Sequence, residues 1–184
     1  MPEDVIEGGG EIYPLHAHCI FCETGRDEII AARLANENNV TAFVPHIVNE
    51  ECHSGVWEKH TRRMLPGYIF LYSDEAVNAE RIRRTDGVLR FLKYEDGEYD
   101  LRGDDRLFAE WIYKAKGTVG ISTAVKEGTK IRVVGGPLVD YAGSILEVKR
   151  QKRLAKVAIT VGNITREVWM SFEWLEPENM QEQK

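Results

Sequence analysis

The sequence lacks the features that mark several large classes of protein. Its 184 residues contain no apolar run of the roughly 18 residues that cross a bilayer, and the acidic start Met1–Asp4 is unlike a signal peptide. It also has no G-x-x-x-x-G-K-[ST], G-x-S-x-G or H-E-x-x-H motif. We therefore expect a cytoplasmic protein that is not an enzyme and uses no cofactor.

Cysteine is scarce, and the three residues are Cys19, Cys22 and Cys52. An odd number suits a reducing compartment and gives no disulfide framework. Cys19 and Cys22 form a C-x-x-C beside two histidines, which raises the question of zinc. However, residues 13–22 have the pattern of a strand, on which positions three apart point to opposite faces. We expect buried thiols and no metal site.

Excess positive charge is also absent, since the net charge is −6. Residues 1–120 hold 14 basic and 22 acidic side chains, whereas residues 121–184 hold 10 and 8. Binding of nucleic acid by the overall field is therefore disfavoured, and any such contact must use local patches. Three basic clusters stand out: Lys59, His60, Arg62 and Arg63; Arg81, Arg83, Arg84 and Arg90; Lys149, Arg150, Lys152 and Arg153.

The most informative stretch is Arg62–Leu71, in which a basic pair and a Pro-Gly corner precede large apolar residues. The pattern predicts a buried strand with Pro66 at its start, where a missing N–H is tolerated. Tyr68 and Phe70 would share one face, and Ile69 and Leu71 the other. Because both faces are apolar, we expect other elements to pack on each side of this strand.

The region before residue 116 alternates strand and helix patterns. Strands are predicted at 13–21, 41–48, 66–71 and 88–94, a turn at 50–55, and helices at 27–38, 75–84 and 104–114. This order predicts an α+β domain in which about three helices pack on a small antiparallel sheet.

After residue 116 the composition changes. Gly, Ser, Thr and Ala dominate 116–125, as in a linker, and short strands follow at 143–150, 153–161 and 164–171, as in a small β-barrel. The predicted organisation is a tail (1–12), a first domain (13–115), a linker (116–126), a second domain (127–177) and a second tail (178–184).

Two segments resemble a known family. Leu65–Phe70 resembles the central strand of NusG-type transcription factors, and Gly135–Gly143 with its flanking strands resembles a KOW module. In this order, over residues 13–176, they resemble the NGN domain and SH3-like KOW β-barrel of NusG-type elongation factors. Residues 88–94 and 101–113 are more similar to the specialised LoaP-type antiterminators.

The resemblance implies an apolar patch on the NGN domain that binds the clamp helices of RNA polymerase, bridges the DNA cleft and promotes processive transcription. It places Leu65 and Tyr68 in that patch, with Trp57 and Phe91 as additional candidates. The alternative for each residue is ordinary core packing.

Nucleic acid, either nascent RNA or non-template DNA, is the second expected partner. LoaP-type proteins are expected to bind RNA hairpins, and the helix-end arginines Arg81, Arg83 and Arg84 suit phosphate contact. Arg62, Arg63 and Lys59 form the second candidate patch.

Two other functions remain open. One is a general NusG-like factor that couples pausing and termination, and the other is an RNA- or ribosome-binding KOW protein without polymerase contact. The general factor usually carries Phe where Val161–Asn163 stands, in a loop tied to ribosomal and termination-factor partners. The smaller Val161 favours a specialised paralogue.

Overall fold

The computed structural model describes residues 12–175, which fold into three α-helices, one 3-10 helix and twelve β-strands. The helices are α1 (Asp27–Asn38), α2 (Ala79–Arg83), α3 (Gly103–Lys114) and the 3-10 helix Pro137–Ser144. The strands are β1 (His16–Cys22), β2 (Thr41–Phe43), β3 (His46–His53), β4 (Val56–Arg63), β5 (Tyr68–Ser73), β6 (Val88–Phe91), β7 (Thr118–Val119), β8 (Ser122–Glu127), β9 (Lys130–Gly135), β10 (Ile145–Lys149), β11 (Leu154–Val161) and β12 (Ile164–Trp174).

The first sheet has the order β2-β5-β1-β6, and all of its pairings are antiparallel. Its central strand β5 is buried on both faces, as its apolar sequence predicts. Tyr68, Phe70 and Tyr72 join the hydrophobic cluster that includes α3. Ile69 and Leu71 join a second cluster with α1 and α2. The sheet therefore lies between two layers, with α1 and α2 on one side and α3 on the other.

The helices follow local sequence signals with one difference. Helix α1 spans the predicted residues and ends at Asn39, which adopts the left-handed conformation that Asn tolerates. Helix α2 is shorter than the predicted 75–84 because it begins only after Asn78. The Asn78 side chain accepts a hydrogen bond from the Arg81 N–H at 3.0 Å, so this residue is an N-cap that sequence periodicity overlooked.

The second sheet is built on a long hairpin. β3 and β4 pair in register from His46 opposite Arg63 to His53 opposite Val56, and β7 adds to β3 in parallel. The expected turn at 50–55 is wrong, since β3 continues to His53 and the reversal uses only two residues. Ser54 and Gly55 both have positive φ there, which matches the twist of a two-residue hairpin.

The C-terminal sheet has the order β10-β11-β12-β8-β9. Its strands β10, β11 and β12 lie close to the predicted segments. Of the residues predicted as a linker, 118–119 form β7 on the N-terminal hairpin and 122–126 lie in β8. Only a few residues thus separate the strand that belongs to the first unit from the strand that belongs to the second.

The two units pack against each other. β12 lies beside β3, and α3 lies beside β11. One hydrophobic cluster combines N-terminal residues such as Phe70 and Phe108 with C-terminal residues such as Val157 and Phe172. Within residues 12–175, no helix is long and apolar enough to cross a membrane.

Candidate partner and nucleic-acid interfaces

The Pro-Gly corner before β5 is fixed by a buried carboxylate. Asp27, fully buried at the start of α1, accepts the Gly67 N–H at 3.0 Å and lies 3.2 Å from the Arg63 Nε. Gly67 has φ +83, and a Cβ there would lie 3.2 Å from the carbonyl oxygen of Cys22. Glycine is therefore required both for the turn and for the close approach to β1.

The residues predicted for the apolar patch are largely covered. Leu65, Tyr68 and Phe91 expose only 2%, 5% and 3% of their surfaces. Tyr68 pairs with Phe21 across the strands, while Phe91 pairs with the neighbouring Ile20. Because adjacent residues of a strand point to opposite faces, Tyr68 and Phe91 lie on opposite sides of the sheet. They cannot form one patch on a single face.

Trp57, the fourth residue of the predicted patch, lies at the boundary between the two units. It is partly buried on β4, and the guanidinium of Arg153 from the C-terminal sheet stacks 4.1 Å from its ring centre. Such a cation–π contact is worth roughly 0.5–2 kcal/mol, depending on desolvation. In this arrangement the indole face is already occupied by the chain's own arginine.

The basic residues of β4 are mostly engaged by acidic neighbours. Arg62 forms an ion pair with Glu51, Lys59 lies 4.0 Å from Glu50, and Arg63 holds the buried Asp27 described above. Arg63 therefore stabilises the Pro-Gly corner through Asp27. The charges of Arg62 and Lys59 are balanced by neighbouring glutamates. The β4 cluster offers less free positive charge than its sequence suggests.

The arginines around α2 are more exposed and less neutralised. Arg81, Arg83 and Arg84 are all exposed at or just after this helix. Glu80 lies 3.5 Å from Arg84, across an exposed pair that contributes little. The Arg83 guanidinium lies 5.2 Å from the ring centre of Tyr99, which holds this charge against the surface.

The structure brings together a set of residues that sequence inspection missed. The Asn49 side chain donates to the carbonyl of Trp169 at 2.9 Å and accepts the N–H of Ser171 at 3.0 Å. Asp105 at the start of α3 accepts the N–H of Gly162 at 2.7 Å. These contacts join the two units across more than 50 residues of chain, so no local pattern could have indicated them.

The loop Val161–Asn163 lies at the same boundary. Val161 is buried, and a Cβ on Gly162 would meet the Leu92 side chain at 3.0 Å. A cavity of about 410 Å³ remains beside this loop, with Phe21 and Arg90 among its walls. The loop predicted to distinguish general from specialised factors is thus packed against the N-terminal unit.

The C-x-x-C cysteines are buried free thiols, as predicted. Cys19 packs in one hydrophobic cluster and Cys22 in the other, so the two point to opposite faces of the sheet. Burial raises the pKa of Cys22 to about 11 and that of Cys19 above its usual range. Metal ions bind thiolates, so these protonated thiols are poor ligands.

Comparison with known proteins finds a family similarity in the N-terminal unit. Residues 18–105 match the family model described as "Transcription termination factor nusG". This range is just under half of the chain and contains most of the first sheet, the Pro-Gly corner and the hairpin. Over residues 18–105 the chain is similar to the NusG family. This part of the chain is accordingly NusG-like, and the matching model is named for a transcription termination factor.

Individual relatives carry the same name. The "Transcription termination/antitermination protein NusG" of Thermus thermophilus is 28% identical over 54% of this chain and 59% of its own length, less than two thirds of that protein. The protein of the same name from Borreliella burgdorferi is 21% identical over 69% of this chain and 74% of its own length.

The fold is also that of a NusG structure. The structure titled "Domain interaction in Thermotoga maritima NusG" is similar with a TM-score of 0.50 and 14% identity, over 85% of this chain and 93% of that one. The mixed α/β architecture of the NusG-like chain is therefore one already observed in this family.

Proposed function

We propose that this chain is a transcription elongation and antitermination factor that binds the clamp helices of RNA polymerase through its N-terminal domain and promotes processive transcription. The observation that carries the proposal is the NusG match over residues 18–105, which spans the corner and the central strand. A shallow apolar surface with an aromatic anchor suits the capture of a pair of helices.

The contact surface in this proposal centres on Leu65 and Tyr68. Both are buried in a cluster that also contains residues of the C-terminal sheet. Trp57, near the tip of the β3–β4 hairpin, is stacked by Arg153 of the C-terminal unit. We therefore interpret the described arrangement as a closed form, and we propose that the C-terminal unit moves away when polymerase binds. The C-terminal unit, which we propose to be an SH3-like KOW barrel, then becomes free to recruit other factors.

The proposal is tested by capture of bacterial core RNA polymerase on the immobilised full-length chain, with Asn49→Ala as an opened variant and Asn36→Ala as the matched control. We expect polymerase to be retained, and more strongly by Asn49→Ala than by the parent or by Asn36→Ala. Failure of every form to retain polymerase would contradict the proposal and favour an RNA- or ribosome-binding protein.

Transcription across an intrinsic terminator separates the two remaining functions. A specialised LoaP-like antiterminator raises read-through, whereas a general NusG-like factor leaves it unchanged or lowers it. Val161 in place of an aromatic residue, packed at the domain boundary, favours the specialised factor. Equal read-through with and without the chain would contradict the antitermination part of the proposal.

We further propose that nucleic acid, an RNA hairpin in particular, binds at the α2 arginines Arg81, Arg83 and Arg84. This patch is exposed, whereas Arg62, Arg63 and Lys59 on β4 are paired with carboxylates. Guanidinium groups at a helix end can contact phosphates without reading sequence, so the binding should be strongly salt-dependent.

The test is RNA-hairpin affinity as a function of salt for the parent and an Arg81/Arg83/Arg84 triple alanine variant. Each lost phosphate contact should lower the slope of log affinity against log salt by about 0.7–0.9, and so by about 2–3 for the triple variant. A triple alanine variant of Lys149, Arg150 and Lys152 removes the same charge elsewhere and should retain most of the slope. A flat salt dependence, or an unchanged α2 variant, would refute the assignment.

A further inference from the structure

The tip of the β3–β4 hairpin carries a group of potential metal ligands. Glu51 and His53 are two residues apart on β3 and therefore share a face. His60 on β4 stands opposite Asn49, which places it on that face as well. One ligand atom from each of Glu51, His53 and His60 lies within 4.8 Å of the other two.

Two imidazoles and one carboxylate are a donor set that zinc and similar first-row divalent ions bind. Ligand atoms about 2.1 Å from a tetrahedral ion lie roughly 3.4 Å apart. In the structure, the Glu51 Oε2 and His53 Nε2 atoms are already 3.5 Å apart. The His60 ligand atom lies within 4.8 Å of the other two, so it has to approach by at most about 1.4 Å. Side-chain rotation permits this movement because the His60 side chain is 44% exposed.

The surroundings of Glu51 favour ligation by one of its oxygens. Its Oε1 atom is held by the Arg62 guanidinium, while Oε2 faces His53. Ligating carboxylates in metal sites are commonly oriented by such a hydrogen bond on the second oxygen. Arg62 is thus a positioning residue that leaves one oxygen of Glu51 directed towards the two histidines.

We propose that Glu51, His53 and His60 form a binding site for Zn²⁺ or a similar borderline divalent ion, which would cross-link the two arms of the hairpin. This site is distinct from the C-x-x-C segment, whose thiols are buried. Cys52 is exposed on the same hairpin but pairs with Trp57 on the opposite face from the three ligands. The fourth position of a tetrahedral ion would be open to water or to a partner's side chain.

The experiment is isothermal titration of the tag-free full-length chain with Zn²⁺, followed by two-dimensional NMR of the histidine ring nitrogens. We expect one ion per chain, with ring-nitrogen shifts at His53 and His60 and not at His16. His53→Gln and His60→Gln should each weaken binding by at least about tenfold. Glu51→Gln should weaken it as well.

Two matched controls lie on the same hairpin. Glu50→Gln removes the carboxylate of the neighbouring residue on β3, whose side chain points to the opposite face from the three ligands. Cys52→Ser removes the exposed thiol. Both variants should bind like the parent. All substitutions are at partly or fully exposed positions, and thermal unfolding verifies that each variant folds. The proposal is overturned if no saturable binding occurs at millimolar Zn²⁺, if a His53→Gln/His60→Gln double variant binds like the parent, or if Cys52→Ser abolishes binding.

Discussion

Removing the Asn49 side chain should open the boundary between the two units. In the structure this amide makes two hydrogen bonds, one to the Trp169 carbonyl and one to the Ser171 N–H, both in the C-terminal sheet. Each is worth about 0.5–1.5 kcal/mol, so Asn49→Ala should weaken docking by about 1–3 kcal/mol. Because 1.4 kcal/mol is a tenfold change, the ratio of open to closed chain should rise about 5- to 150-fold.

The assay is ¹⁵N relaxation of backbone amides, which reports how fast each unit tumbles. Docked units tumble as one body, whereas undocked units tumble faster and at different rates. Asn36→Ala makes the same truncation on the exposed surface of α1 and should change nothing. Adding Asp105→Asn, which weakens the contact to Gly162, should open the chain further. Unchanged tumbling in the double variant would refute the view that these polar contacts hold the closed form.

Three further predictions concern stability. Asp27→Ala should lower the free energy of unfolding by about 3 kcal/mol, because it leaves Arg63 and the Gly67 N–H without their buried partner, whereas Asp86→Ala at the surface should have little effect in the same urea titration. Burial lowers the pKa of His18, so the unfolded chain binds a proton more readily than the folded chain does. The free energy of unfolding should therefore fall as the pH drops below about 6.5. His18→Gln should reduce this fall, and an equal fall in the variant and the parent would exclude His18 as its source. Gly136→Ala should lower the free energy of unfolding by more than about 2 kcal/mol, because the added Cβ would lie 2.7 Å from the Ser122 Cα. Gly128→Ala, which has open space around the Cβ, should lower stability less in thermal unfolding. Equal losses of stability in the two variants would refute the steric argument.

Local chemistry accounts for the elements that sequence reading obtained correctly. The apolar run after Pro66 predicts a strand buried on both faces, and β5 is such a strand. The periodic apolar positions before Asn39 predict α1, whose limits agree. The opposite orientation of Cys19 and Cys22 also follows from the period of a strand, which is a local property.

Other features depended on partners distant in sequence. In the sequence, Arg63 is a candidate for phosphate contact. In the structure, its guanidinium pairs with the buried carboxylate of Asp27 instead. In the sequence, Phe91 is a candidate for the same apolar patch as Tyr68. Strand pairing places the two residues on opposite faces of the sheet. Neither fact can be deduced from composition, because register is set by the pairing of whole strands.

The sequence by itself determined the presence of the three α-helices, the two-sided burial of the central strand and the resemblance to a family whose model matches residues 18–105. Each of these rests on residue types at short spacing. Only the tertiary structure decided that Asn49 hydrogen-bonds to the C-terminal sheet and that Arg153 stacks on Trp57. It also decided that ligand atoms of Glu51, His53 and His60 lie close together. The physical reason is that hydrogen bonds, stacking and ligation act over a few ångströms in space, and the chain brings those atoms together only when its sheets have paired and packed.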